Sequence, residues 1–324
     1  MTPAGFPDRA AFEAARERVR AHAYHTPLLT SRTLSTATGF DVRLKAEMLQ
    51  RTGSYKIRGP LNKFPLLSEE ERRCGVICSS AGNHAQGVAL AARIHGIRAV
   101  VVMARNATPS KVAATRGYGA EVIQHGSIWD EANEEAQRLV RERGLTYIHP
   151  FDDLQLIAGQ GTIGLEIAAD CPGVATVAVP VGGGGLSSGV ATAIKALAPR
   201  ARVVTVEPEG AAKLARSLAE GRRVTLEKTG SIADGLITLS VGALNWEHLS
   251  RYVDQAFTVS EGALRGAVRY ALERLKLVVE PSGAATLAWL LGQEPGAAVG
   301  PVVLVLSGGN VEWEGLVALL AEGA

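Results

Sequence analysis

Apolar residues gather in short blocks along this chain, and between the blocks they recur every three or four positions. The run Val174-Ala175-Thr176-Val177-Ala178-Val179 has the length and β-branched content of a strand buried on both faces. Beyond the glycines at 182–185, Val190-Ala191-Thr192-Ala193-Ile194-Lys195-Ala196-Leu197 carries a helical period. The same reading predicts a strand over 75–79, a helix from Asn83 to His95 on the period of Val88, Leu90 and Ile94, and a strand over 98–103. A helix opening at Thr108-Pro109-Ser110-Lys111, a strand over 120–124 and a helix from Ser127 to Arg143 follow. Further strands are predicted at 202–207 and 301–306. Strand and helix alternating in this way define an α/β protein. Turn chemistry in His149-Pro150-Phe151-Asp152-Asp153 marks a crossing from one compact unit back to a larger one.

Composition narrows the class. The chain has 324 residues, 47% of them apolar, enough for two domains with sizeable cores. Its net charge of +2 and the lack of basic clusters beyond short runs at 141–143 and 221–223 give no footprint for nucleic acid. Cys74, Cys78 and Cys171 are an odd set without zinc spacing, as expected of reduced thiols in a cytoplasm. The start, Met1 to Asp8, lacks the charged-then-apolar order of a leader, and no apolar run reaches membrane-spanning length. A cytoplasmic enzyme without a membrane partner is the expectation.

Two segments carry chemistry. Lys56 lies in Gly53-Ser54-Tyr55-Lys56-Ile57-Arg58-Gly59. A free lysine is the nucleophilic amine in only about one molecule in a few thousand at neutral pH, so a reactive one needs surroundings that disfavour its charge. A helix start capped by Ser54 and the guanidinium of Arg58 are expected to act in that direction. The second segment is Pro180-Val181-Gly182-Gly183-Gly184-Gly185-Leu186-Ser187-Ser188-Gly189. Its bare backbone amides, with a helix start behind them, form a cradle for one phosphate. A dinucleotide fingerprint fails at Ser187 or Ser188, although Glu207 falls near the place of a ribose-binding acid and keeps a nicotinamide reading open. No Gly-Lys dipeptide occurs, which excludes a nucleoside-triphosphate loop.

An imine-forming amine and a cradle for a single phosphate together point to pyridoxal 5'-phosphate. The lysine segment, the loop Ser79-Ser80-Ala81-Gly82-Asn83-His84-Ala85-Gln86-Gly87, the glycine loop and Leu306-Ser307-Gly308-Gly309-Asn310 resemble the four signature segments of the fold-type-II pyridoxal-phosphate enzymes. Within that class they are similar to the threonine ammonia-lyase and serine racemase branch, and the likeness runs from His25-Thr26-Pro27-Leu28-Leu29 to Asn310. The resemblance implies a two-domain fold like that of the tryptophan synthase β chain, with open twisted sheets flanked by helices. Residues 1–71 and 149–324 are then a large cofactor-binding domain and residues 72–148 a small mobile one.

Carried over by residue, the resemblance implies that Lys56 holds the cofactor and takes the substrate α-proton. Tyr55 packs near the ring, Asn83 meets the ring hydroxyl, Gly182, Gly183, Gly184, Gly185 and Leu186 take the phosphate, and Ser307 faces the ring nitrogen. A hydroxyl there favours β-elimination over transamination. Ser80, Ala81, Gly82, Asn83 and His84 receive the substrate carboxylate. Gly235 resembles a glycine that gives the ring room, and Glu280 a glutamate near the cofactor; read alone, Asp234-Gly235 is a turn and Glu280 a helix cap. His84 and His149 are candidates for catalysis by residue type.

Two departures separate the branches. Ala81 stands where serine racemases carry an acid-base serine, so racemisation is not expected. In cation-dependent relatives the ligands map to Glu207, Ala211 and Lys213, and a lysine offers no oxygen. Lys213 is expected to fill the cation's place, paired with Glu207, which leaves a divalent cation doubtful; a solvated helix lysine is the plainer alternative. The implied reaction is dehydration and deamination of threonine or serine, with 3-hydroxyaspartate ammonia-lyase and serine racemase/dehydratase as alternatives. The implied partners are a small hydroxy amino acid and further copies of the chain in a homodimer or homotetramer. The chain stops soon after the matched region, so a C-terminal regulatory domain under isoleucine control is not expected.

Overall fold

Two sheets carry the fold. The computed structural model describes residues 7–294 and 300–321; Met1 to Phe6, most of the stretch read for a leader, lie outside them. The strands are β1 Leu28–Thr30, β2 Asp41–Ala46, β3 Val76–Ser79, β4 Ala99–Met103, β5 Glu121–Gln124, β6 Thr146–Tyr147, β7 Thr176–Pro180, β8 Arg202–Pro208, β9 Gln255–Val259 and β10 Pro301–Leu306. The larger sheet has the order β1-β2-β10-β7-β8-β9 and is parallel except for β1, which runs antiparallel to β2. The smaller sheet, β5-β4-β3-β6, is parallel throughout.

Helices cover both faces of each sheet, which is why the central strands are apolar at nearly every position. The strand period of two sorts those side chains between two cores. Ala178, Val204 and Leu304 face a core shared with Leu287 and Leu290, whereas Val177, Val203 and Val303 face one shared with Ile163, Val190 and Ile194. In the smaller sheet Val76, Cys78 and Val101 meet Ile57, Leu61, Phe64 and Val88, and Ile77, Val100 and Val102 meet Ala132, Ala136 and Leu139. The segment of Ile57 to Phe64 therefore packs on the smaller sheet although it precedes it in the chain. Every strand the periodicity predicted is present, with ends shifted by a residue or two. The pattern did not reveal β1, β2, β6 or β9. β2 reads Asp-Val-Arg-Leu-Lys-Ala, and its Lys45 is buried by an ion cluster that no hydrophobic period reports.

That cluster fixes the entry to the lysine segment. Arg58 is fully buried and donates to Glu47 Oε2 at 2.8 Å and Oε1 at 2.7 Å, and to Glu166 Oε1 at 2.6 Å and Oε2 at 2.9 Å. Lys45 Nζ lies 2.6 Å from Glu166 Oε2 and donates to the Thr26 carbonyl at 2.7 Å. Two cations and two carboxylates are thereby paired with nearly complete hydrogen bonding, the condition under which buried charge is tolerated. The pairs join β2, the helix Arg58–Lys63 and the helix Leu154–Asp170. Among the described residues no helix is long and apolar enough to cross a membrane, and Cys74, Cys78 and Cys171 are all free thiols.

Replacing Arg58 by Met strands two buried carboxylates on one remaining cation. Urea unfolding of Arg58→Met is expected to report a loss of about 3–5 kcal/mol, and a loss below about 1 kcal/mol would contradict this role.

Candidate active site

The segments singled out by chemistry meet at the carboxyl ends of the parallel strands, where open α/β sheets hold ligands. Ser79 closes β3, Val181 follows β7, Ser307 follows β10, and the Lys56 segment begins a few residues beyond the end of β2 at Ala46. Backbone links bind these ends together. Tyr55 N donates to the Ser307 carbonyl at 3.2 Å, and Ser54 forms an isolated bridge with Gly308. On the other side, a Cβ on Gly87 would stand 2.8 Å from the Lys56 carbonyl, so the helix Asn83–Ile94 presses directly on the lysine backbone.

Lys56 occupies the middle of a single 3-10 turn, Tyr55–Ile57, ahead of the helix Arg58–Lys63. Two expectations about it are corrected. Ser54 makes no capping bond, and its buried hydroxyl has no partner. Arg58 does not act on the amine, because its charge is absorbed by Glu47 and Glu166. Burial lowers the Lys56 amine to about 8, with the carboxyl of Glu280 opposing the shift. The ammonium donates to the Pro150 carbonyl at 3.1 Å and lies 5.3 Å from the Tyr55 ring centre.

Asn83, Glu280 and Asn310 form a short chain beside it. Asn83 Nδ2 donates to Glu280 Oε1 at 2.7 Å, and Asn310 Nδ2 donates to both Asn83 Oδ1 at 2.7 Å and the Thr52 carbonyl at 2.6 Å. Thr52 is left-handed at φ 66°, a costly conformation for a β-branched residue, so Asn310 holds the lysine loop and orients Asn83 at once. Glu280 opens the helix Pro281–Leu291 without capping it. Burial, with Asp234 nearby, pushes its carboxyl up to about 8, while the Asn83 hydrogen bond, Lys111 and Lys56 pull it down. Lys56 and Glu280 each act on the other's proton, so their protonation is coupled.

The loop Ser80–Gly82 joins β3 to the helix Asn83–Ile94, and no side chain caps that helix. Ser80 Oγ accepts from Gly82 N at 3.2 Å, and Ala81 packs against the core of the smaller sheet. His84 is buried, with Nε2 donating to the Ile148 carbonyl at 3.0 Å. Burial, aided by the charge of Lys56, lowers it to about 3, so it is neutral.

The glycine loop is bare because protein fills the space that side chains would need. A Cβ on Gly182 would stand 2.5 Å from the Gly235 carbonyl, and one on Gly183 would lie 2.3 Å from the Phe151 ring. Gly184 takes φ 101°, open to glycine alone, and Gly185 begins the helix Gly185–Leu197. Leu186 points into the core with Val190 and Ile194. Gly235 N is fixed by Ser282 Oγ at 2.9 Å.

A buried ammonium lies behind the loop. Lys213 is wholly inaccessible and donates to the carbonyls of Val181 at 3.1 Å, Ala211 at 3.0 Å and Leu236 at 2.9 Å, with Glu207 Oε1 at 3.1 Å. Burial pulls its pKa down and Glu207 opposes, and four surrounding oxygens hold the group as a cation. Glu207 also accepts from Leu214 N at 3.0 Å and Ala215 N at 2.8 Å, capping the helix Lys213–Glu220. Among the described residues no group of three or more His, Cys, Asp or Glu side chains is placed to hold a metal.

Sequence reasoning read His149 to Asp153 as a turn between the two units and offered His149 as a catalytic candidate, but gave Pro150, Phe151 and Asp152 no part in the site. Pro150 supplies the Lys56 acceptor, Phe151 covers Gly183, and Asp152 carboxylate oxygens accept from Ala243 N and Leu244 N, both at 3.0 Å, at the start of the helix Ala243–Tyr252. The one available signal was a carboxylate placed after a proline turn; its partner lies far along the chain and could not be read.

An amine freed of its proton near pH 8, a side-chain-free amide loop and an Asn-Glu pair fit a phosphorylated pyridine aldehyde. Residues 19–308 match the family described as pyridoxal-phosphate dependent enzyme, and the chain belongs to it. Its relatives include the L-threonine ammonia-lyase of Thermotoga maritima, 47% identical over 89% of this chain and 72% of that protein. The catabolic L-threonine dehydratase of Escherichia coli K12 is 41% identical over 92% of this chain and 91% of that protein. Among solved structures, maize serine racemase superposes with TM-score 0.92 at 37% identity, covering 96% of each chain. A threonine deaminase from T.th. superposes with TM-score 0.90 at 45% identity, covering 95% of this chain and 99% of that one.

A methyl group at position 183 must displace the Phe151 ring. Gly183→Ala is expected to weaken pyridoxal phosphate binding by about tenfold or more in a fluorescence titration of the apoprotein, and an unchanged dissociation constant would contradict the packing argument.

Proposed function

We propose that the protein is a threonine ammonia-lyase that converts L-threonine to 2-oxobutyrate and ammonia, and L-serine to pyruvate and ammonia. The observation that carries the reading is the amine of Lys56, partly buried, lowered to about 8 and bonded to the Pro150 carbonyl, whose neighbour Phe151 packs on a loop of four glycines. The names of relatives at 41–47% identity support the substrate.

Lys56 would hold pyridoxal phosphate, Gly182 to Leu186 its phosphate, and Asn83, Tyr55, Gly235, Glu280 and Ser307 its ring. When bound, the cofactor supplies an electron sink for the pair left behind when the substrate α-proton is removed. Lys56, once free of its charge, is the base for that proton, and the Pro150 carbonyl orients its nitrogen. Ser307 offers a neutral hydroxyl rather than a carboxylate, which keeps the sink modest and favours early loss of the β-hydroxyl. The amides of Ser80 to His84 are assigned to the substrate carboxylate. Ala81 has no proton to exchange, so racemisation is not assigned to this chain.

The same reading gives Lys213 the work of a cation at Glu207 and Ala211, tying the glycine loop and the Leu236 turn to one charge. It also makes 1–71 with 149–324 the large domain and 72–148 the small one, in a cytoplasmic homodimer or homotetramer.

Keto-acid assay tests the proposal. Lys56→Ala should lose roughly 10²–10⁴ or more of the rate on threonine, while full activity in that variant would end the assignment. Chelation followed by added magnesium should leave the parent rate unchanged; strong activation by the metal would show that Lys213 does not stand in for it.

A further inference from the structure

An imidazole closes the turn that carries the Lys56 acceptor. His149 Nδ1 lies 2.8 Å from Asp152 N and 3.2 Å from Phe151 N. Both neighbours donate, so Nδ1 carries the lone pair and the ring proton sits on Nε2. The ring also stands edge-on to Phe151, with centroids 4.6 Å apart at 90°. Three residues of this turn touch the site, while Asp153 pairs with Lys63 and caps the helix Leu154–Asp170. Pro150 takes the hydrogen bond of Lys56, Phe151 packs against Gly183, its carbonyl accepts from Asn245 Nδ2 at 3.1 Å, and Asp152 caps the helix Ala243–Tyr252.

We infer that His149 is a positioning residue whose neutral ring sets the turn of residues 149–153, and with it the lysine acceptor and the wall of the phosphate cradle, and that protonation of Nδ1 releases both. The inference rests on the assignment of Lys56 and the glycine loop to the cofactor. A proton on Nδ1 would put an N–H where two others already point, costing both hydrogen bonds. The groups that bear on the ring are Asp152 and Asp153, which favour its charge, and Lys56 and Lys63, which oppose it; the Tyr147 ring packs against it with centroids 6.3 Å apart, its phenol kept neutral by burial, and His84 is a further titratable ring that feels it. Burial outweighs the two carboxylates and lowers the pKa below the ordinary 6.5. For a group lowered in this way, the contribution is whole above about 6.5 and is lost as pH falls below it.

The test compares the parent with His149→Asn and His149→Phe. Asparagine offers an oxygen to the same two amides without titrating, and phenylalanine keeps the ring contact but offers no acceptor. Pyridoxal phosphate titrations of the apoproteins at pH 8 should find His149→Asn within about threefold of the parent and His149→Phe weaker by about tenfold or more. Between pH 8 and pH 5.5 the parent should lose more affinity than His149→Asn, by up to about tenfold, a difference that cancels the titration of Lys56 and of the phosphate itself. Nitrogen NMR of the parent should find the Nε2–H tautomer at pH 8. Equal affinities and pH slopes in all three proteins, or an Nδ1–H tautomer, would overturn the inference. Failure of the parent to bind pyridoxal phosphate at all would instead sink the cofactor reading, and the tautomer would still judge the clasp.

Discussion

A lysine taken out of water must either give up its proton or be surrounded by oxygen, and Lys45, Lys213 and Lys56 show both outcomes. Lys45 meets Glu166 at 2.6 Å and the Thr26 carbonyl, and Lys213 meets Glu207 and three carbonyls. Both are held as cations and serve as struts. Among the described residues Lys56 has one neutral acceptor, Pro150, and no carboxylate in hydrogen-bond reach; the acid that influences it, Glu280, is itself pushed up to about 8. The count of oxygens around each nitrogen separates the Lys56 amine from the two struts and supports its assignment as the reactive one.

The rest of the site keeps Lys56 in that poor setting. The Arg58 cluster anchors the chain just beyond it, and Asn310 holds the left-handed Thr52 just before it. Removing either support would free the lysine to turn toward water, where its ordinary charge would return. Lys213 holds the Val181 carbonyl at the start of the glycine loop, and Phe151, in the turn that Asp152 fixes, packs on Gly183, so the same turn bears on the amine and on the cradle.

Much of this was legible in the chain. The buried runs gave the central strands, and the glycine loop and Lys56 segment gave the chemistry because both depend on residues adjacent in sequence. What escaped depends on partners far apart. β2 was hidden because its lysine is neutralised by Glu166, far along the chain, and the influence expected of Arg58 on Lys56 fails because two carboxylates claim it first. The contact of Pro150 with Lys56 was equally out of reach, since a turn reads the same whether its carbonyl faces solvent or a buried amine. Local propensity reports the backbone; it does not report which distant group completes a buried bond.

The central claim is that one amine among the lysines is chemically distinct. Purified protein saturated with pyridoxal phosphate, reduced with borohydride and digested should carry the added mass on the peptide of Lys56, and on Lys213 and Lys45 not at all. Label spread over surface lysines with the Lys56 peptide untouched would contradict the account.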